Sequence, residues 1–128
     1  MSITVRPASE ADAIAACNVL RRSIRELCVA DHGDDDHILS AWLANKTPDN
    51  VRTWIVSPSY FCVVAVEGPE VRGFGMVQRD GEIQLCYLVP EVQYLGVGKL
   101  LLHALEEQAV RWGLDRVFLT SSITAKKF

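Results

Sequence analysis

Apolar and polar residues follow one another with periods that divide the chain into helical and extended stretches. Ile3-Thr4-Val5-Arg6 alternates with period two and predicts a first strand, which Pro7 ends because it lacks a ladder donor. From Ser9 to about Cys28 the positions Ile14, Cys17, Leu20 or Arg21, Ile24 and Leu27 or Cys28 recur at helical spacing. Ser9 caps this helix, and Asp12 behind it makes an imperfect capping box. A second helix is expected from His37 to Asn45, capped by Asp36. A third opens at Thr47-Pro48, with a hydroxyl cap and a proline at the first helical position, and runs to about Ile55 or Val56, where Pro58 closes it.

Extended patterns then dominate. Tyr60 to Glu67, Val71 to Gln78 and Glu82 to Val89 read as three strands of a meander, turned by Gly68-Pro69-Glu70 and by Arg79-Asp80-Gly81. Asp80-Gly81 is the strongest hairpin signal in the chain. Gly73 and Gly75, on one face of the middle strand, either leave room for a neighbour or mark a bulge. Leu100 to Trp112 is an amphipathic helix, and Gly113 supplies a left-handed stop. Val117 to Thr120 is a strand reached by this helical crossover, hence parallel to the preceding strand and connected with a right-handed turn.

Composition narrows what such a chain does. Its 128 residues suit one domain covering 1–128, and 49% apolar residues supply an ordinary core. A formal charge of -3 gives no basic field for nucleic acid or an acidic membrane. No apolar run approaches the roughly 18 residues that span a bilayer, and the first residues carry no export pattern, so a cytoplasmic protein is expected. Cys17, Cys28, Cys62 and Cys86 are scattered without a C-x-x-C pair and read as reduced thiols rather than disulfides or zinc ligands.

The most polar run is Asp31-His32-Gly33-Asp34-Asp35-Asp36-His37. A hard-cation loop wants oxygens at alternating positions with a distant bidentate glutamate, which this run lacks, so no metal site is expected. It is a solvated loop or an acidic rim that attracts a cationic amine.

Between the strand ending at Val89 and the following helix lies Gln93-Tyr94-Leu95-Gly96-Val97-Gly98-Lys99. The first amides of a helix have no intrahelical acceptor and sit at the positive end of its dipole, so this is where an anion binds. Gly96 and Gly98 let a phosphate come close and let the backbone take positive φ. The loop is not a Walker motif, since Leu100 follows Gly98-Lys99 and no glycine stands five positions before Gly98. Nor is it a dinucleotide fingerprint, since Leu101 occupies the third glycine position and Asp115 precedes a strand instead of ending one.

Gln-x-x-Gly-x-Gly, with Pro90 three residues before Gln93, resembles the phosphate loop of the GNAT superfamily of acyl-CoA-dependent N-acetyltransferases. Thr124-Ala125-Lys126-Lys127-Phe128, with Ser122 in place of an asparagine, is similar to the start of that family's later Asn-x-x-Ala-x-x-Phe-Tyr motif. The resemblance covers most of the chain from Ile3 onward. It implies an α/β (α+β) fold with a mixed sheet, element order β-α-α-β-β-β-α-β, and helices on both faces. The family continues through a further helix and two strands that are missing here. Either the polypeptide is a fragment, or another chain, such as a second copy forming a homodimer, covers the exposed strand edge.

The resemblance further implies that Gln93, Tyr94, Leu95, Gly96, Val97, Gly98 and Lys99 grip the pyrophosphate of acetyl-CoA, with the Lys99 side chain either touching phosphate or staying in solvent. It puts the oxyanion donor at a backbone amide near Leu88 and Val89, where a strand bulge splays the sheet and the pantetheine lies along the strand. The helices from Ile14 to Val56 would form a wall of the acceptor site. A lysine-like amine has a pKa near 10.4 and needs a base at neutral pH. Glu82 is the candidate, at the spacing before Gln93 of the catalytic glutamate in histone-type members. On a regular strand its face is shared by Gln84, Cys86 and Leu88, with Tyr87 opposite.

The family's usual thiolate protonator would follow Phe128; Tyr87, Tyr94 and Tyr60 are substitutes in principle, as is water. Cys86 raises a ping-pong alternative through an acyl-cysteine, although no histidine base is identified beside it. His103 falls on the helix surface. The expected function is direct acetyl transfer from acetyl-CoA to a primary amine of a small molecule or peptide. The alternative is a non-catalytic acyl-CoA-binding or assembly module of the same fold.

Overall fold

The computed structural model describes residues 2–119, without the side chains of Ala30 and Asp31. Strand β1 (Thr4–Pro7) leads through a 3-10 turn (Glu10–Asp12) into helix α1 (Ala13–Leu27). Pro7 is the last residue of β1 rather than the residue beyond it; β1 lies at the edge of the sheet, where a missing N–H is tolerated. The Ser9 amide donates to Asp12 Oδ2 at 2.8 Å, closing one half of the expected capping box. Arg6 grips the same carboxylate with two nitrogens, at 2.8 and 2.9 Å. That guanidinium is the main reason the Asp12 carboxyl is held below its ordinary value.

Four helical segments stand between the first two strands. After α1 come α2 (Val29–His32), α3 (Asp36–Leu43) and α4 (Pro48–Val56). Gly33 and Asp34 adopt left-handed φ values of 58° and 57°, which stops α2 and redirects the chain. That turn leaves Asp35 extended at the start of α3, where it accepts from the amides of His37 and Ile38 at 2.9 and 3.1 Å. The cap is therefore Asp35, with Asp36 already helical. His32 is not part of a solvated loop: it is buried, Nδ1 accepts the Asp34 amide at 3.0 Å, and Nε2 lies 2.7 Å from the Ile24 carbonyl oxygen. With Nδ1 accepting, the proton sits on Nε2, so backbone groups use both ring nitrogens. Thr47 caps α4 through the Asn50 amide at 3.2 Å, as its hydroxyl before Pro48 predicts.

The sheet runs β1-β2-β3-β4-β5, with β2 (Tyr60–Glu67), β3 (Glu70–Gln78), β4 (Glu82–Leu88) and β5 (Phe118–Leu119). The first four strands pair antiparallel and β5 joins β4 in parallel, after helix α5 (Val97–Arg111). Alternation sorts the strands between two cores. Val63, Ala65, Val77, Ile83 and Cys86 pack on α5 through Val97, Leu101 and Leu105. Cys62, Val64, Phe74, Met76 and Leu85 pack on α1 and α4 through Ala16, Cys17, Leu20 and Val51.

Gly73 and Gly75 serve that packing. A Cβ at Gly73 would stand 3.0 Å from Leu101 Cδ1, and one at Gly75 would stand 3.2 Å from Val63 Cγ2 and 3.3 Å from Leu105 Cδ1. The room they leave is filled by α5 itself. Gly81, at φ 98°, turns the β3–β4 hairpin, and the segment leading into β5 packs so closely on it that a Cβ would lie 2.8 Å from the Arg116 oxygen. Its own carbonyl accepts the Phe118 amide at 2.9 Å and so starts the β4–β5 pairing. Among the described residues, no helix is long and apolar enough to cross a membrane. Thr120, at the end of the expected last strand, and the stretch Ser122 to Phe128 lie outside the described residues.

Candidate active site

Beyond β4 the chain makes one 3-10 turn, Pro90–Val92, and reaches the glycine loop. Arg22 on α1 holds this turn through Glu91, 2.6 Å away, although both groups are exposed and the pair adds little stability. The loop's helix begins earlier than its apolar pattern indicates, at Val97 rather than Leu100. Gly96 is the N-cap at φ 84°, and its oxygen accepts the Leu100 amide at 3.2 Å. The amides of Val97, Gly98 and Lys99 thus form the first turn, without intrahelical acceptors, and no side chain caps them.

Of the two glycines only Gly96 takes a positive φ; Gly98 is already helical and contributes the absence of a side chain in that turn. Tyr94 also takes a positive φ, 67°, unusual for a residue with a Cβ, and is 92% exposed. Gln93 and Gly98 are half-buried, Leu95, Gly96 and Lys99 exposed, and Val97 buried under the helix. No acidic residue stands in the first turn. An uncapped, acid-free helix opening with no side chain at its cap fits a diphosphate.

Strand β4 carries the remaining chemistry. Its pairing with β3 runs Gly73↔Leu88, Phe74↔Tyr87, Gly75↔Cys86, Met76↔Leu85 and then Val77↔Ile83, so Gln84 is an extra residue, a bulge. The sequence expectation put the bulge near Leu88, but it falls further back along the strand. The Val89 amide donates to the Arg72 oxygen at 3.0 Å; alternation therefore turns the Leu88 amide away from β3, toward the edge that β4 shares with β5.

The bulge also inverts the faces. Glu82 and Gln84 still lie together, Gln84 Nε2 donating to Glu82 Oε1 at 2.8 Å and to Gln78 Oε1 at 3.0 Å. Beyond it Leu85 and Tyr87 continue on that face, toward α1 and α4, whereas Cys86 and Leu88 turn to α5. The regular-strand expectation that Cys86 and Leu88 accompany Glu82, with Tyr87 opposite, is thereby corrected. Burial pushes the Cys86 thiol up to about 12, which leaves almost no thiolate at neutral pH. Its place on the α5 face and its protonation both count against the acyl-cysteine route. His103 is exposed on α5 and pairs with Glu107 at 3.1 Å.

A pocket of about 270 Å3 opens on the Glu82 face, lined by Asn45, Lys46, Trp54, Tyr60, Met76, Gln84 and Leu85. Gln84 is at once a wall of this pocket and the hydrogen-bond partner of Glu82. Sequence reasoning passed over Lys46, which lies between α3 and α4 and whose backbone oxygen is held by Cys17 and Arg21 of α1. Its position immediately before the Thr47 cap was the available signal, marking a tight interhelical corner.

The profile described as Acetyltransferase (GNAT) domain matches residues 28–128. Comparison with curated proteins by sequence gives no significant match. Among solved structures, the GCN5-related N-acetyltransferase of Rhodopseudomonas palustris superposes with a TM-score of 0.86 at 22% identity, covering 100% of this chain and 78% of that one. The PaiA N-acetyltransferase of Thermoplasma acidophilum, in complex with coenzyme A, gives 0.76 at 21% identity over 89% of this chain and 76% of its own. A ribosomal-protein-alanine N-acetyltransferase of Brucella melitensis biovar Abortus 2308 gives 0.69 at 11% identity, with 99% and 88% covered. At such identities the likeness speaks for the fold.

Proposed function

Because the chain belongs to the GNAT acetyltransferase family, and so is an acyltransferase that uses acyl-CoA, we propose that it moves an acetyl group from acetyl-CoA to a primary amine of a small molecule or peptide by direct attack. The amides of Val97, Gly98 and Lys99 hold the pyrophosphate, with Gln93 to Gly96 folding around it. That grip aims the thioester along β4, where the Leu88 amide, turned from β3, hydrogen-bonds the oxyanion as it develops. Glu82 takes a proton from the incoming ammonium, and the freed amine attacks the thioester carbon; the now cationic nitrogen of the tetrahedral intermediate gives up its second proton to solvent, and collapse releases the CoA thiolate, which takes up a proton from solvent or a nearby donor. A hydrogen-bonded thiolate near pKa 8.5 is a tolerable leaving group.

The observation that carries this reading is the uncapped opening of α5, with Gly96 at φ 84°, directly beyond the strand that bears Glu82. Thiol release measured with acetyl-CoA over amino acids, polyamines, aminoglycosides and peptides tests it. Turnover on at least one amine is expected, with CoA binding detected by calorimetry. Binding without turnover on any amine would leave an acyl-CoA-binding module, and no binding at all would remove the reading.

A further inference from the structure

Lys46 is only 6% exposed and lines the pocket beside Gln84, yet its ammonium touches neutral groups only: Asn45 Oδ1 at 2.7 Å and, weakly, the Trp42 oxygen at 3.4 Å. Among the described residues no carboxylate lies within ion-pair distance of it. An ammonium carries three donors and two are used, so one proton has no acceptor among those residues. Burial alone lowers its pKa, with no opposing charge to raise it. A desolvated cation without a counter-ion binds an anion far more strongly than one in water.

The pocket's other polar groups, from Asn45, Tyr60 and Gln84, are neutral, so Lys46 is the single charged residue of its lining. At the Gln84 wall stands Glu82, linked to it at 2.8 Å. The pocket therefore offers a cation inside and a carboxylate at its margin. A volume of about 270 Å3 lies just below the ~300–1,000 Å3 typical of sites for drug-sized ligands, which favours a compact occupant.

We propose that Lys46 selects acceptors that carry a carboxylate, so that the substrate is a small free amino acid whose carboxylate pairs with Lys46 while its amine faces Glu82. This inference rests on the acetyl-transfer reading and names the substrate class within it. A polyamine or an aminoglycoside would bring a second positive charge against a buried one, which costs affinity instead of adding it.

The test compares amino acids with their primary amides, identical except for the carboxylate, in thiol-release kinetics and in calorimetry with CoA present. Acids are expected to exceed amides in kcat/KM by about tenfold or more, as for a charge-assisted hydrogen bond. Lys46→Met should bring that ratio close to one, and Lys46→Arg should keep part of it. Amides that react as well as acids, or a ratio unchanged in Lys46→Met, would overturn the inference while leaving acetyl transfer standing. Should no amine turn over, calorimetry still decides: acids binding at least tenfold tighter than amides uphold the role of Lys46, and equal binding removes it. If Lys46→Met does not fold, the acid-to-amide ratio of the unaltered protein and of Lys46→Arg carries the same decision.

Discussion

Glu82 and Tyr87 share one face of β4 although an odd number of positions separates them, because the bulge at Gln84 absorbs one residue of the alternation. Glu82 is thereby aligned with the wall built by α1 and α4, and Cys86 is removed from it. Glu82→Gln preserves shape and the contact with Gln84 but abolishes basicity. It is expected to lower kcat/KM at pH 7 by about 100-fold. Its remaining rate should climb steadily with pH as the amine loses its own proton. A rate within about twofold of the parent at pH 7 would dismiss Glu82 as base.

Cys86 makes the complementary case. With its thiol pushed up to about 12 by burial, it is not a nucleophile at neutral pH. Cys86→Ala should keep kcat within a few-fold, and intact-protein mass spectrometry after mixing with acetyl-CoA alone should detect no acetyl adduct. An adduct lost in Cys86→Ala would restore the two-step route.

The opening of α5 can be blocked at Gly98. Gly98→Glu puts a carboxylate in the first helical turn, where it competes with a diphosphate for the same amides. CoA affinity by calorimetry should fall at least tenfold, while thermal stability holds or rises slightly, since an acid is favourable at that end of a helix. Unchanged affinity would sink the cradle.

Gly73→Ala and Gly75→Ala act from beneath. The new methyl at Gly73 would press on Leu101 and the one at Gly75 on Val63 and Leu105, all of them packed between sheet and helix. Each substitution is expected to cost about 1–3 kcal/mol in chemical denaturation. Both should also weaken CoA, because Leu101 and Leu105 belong to α5, whose first turn is the proposed cradle. Loss of stability with full CoA affinity would separate the two.

Asp12 joins β1 to the start of α1 through Arg6 and the Ser9 amide. Asp12→Ala should cost about 1–2 kcal/mol, in the range of a lost helix cap. The Asp12 carboxyl is lower in the folded protein than in the unfolded chain, chiefly through Arg6, so unfolding takes up a proton in the acid range. The contribution is complete above the ordinary aspartate value near 3.9 and fades as pH falls through the folded value. Urea midpoints of parent and Asp12→Ala should converge on acidification below that range.

Much of this was legible in the sequence because it depends on local patterns. Alternation along Tyr60 to Glu67, the Asp80-Gly81 turn and Thr47 before Pro48 each fix a structure within a few residues, and the strands and the α4 cap lie as they predict. The family likeness of the glycine loop is likewise local. What escaped was set by contacts between distant segments. The bulge at Gln84 has no glycine or proline to announce it, and it reassigns every side chain after it. Asp35 rather than Asp36 caps α3 because Gly33 and Asp34 turn the chain and His32 is drawn into the core by the Ile24 oxygen. Lys46 was passed over because no local pattern announces its burial.

The hairpin tip at Gly81 sets an order of assembly. Neighbouring strands meet early because little chain separates them, whereas a parallel partner must wait for the whole intervening helix. Since the Phe118 amide docks on the Gly81 oxygen, the late-arriving strand finds its alignment on a corner that has already formed. A residue that spoiled that corner would misregister β5 without altering a single side chain of that strand.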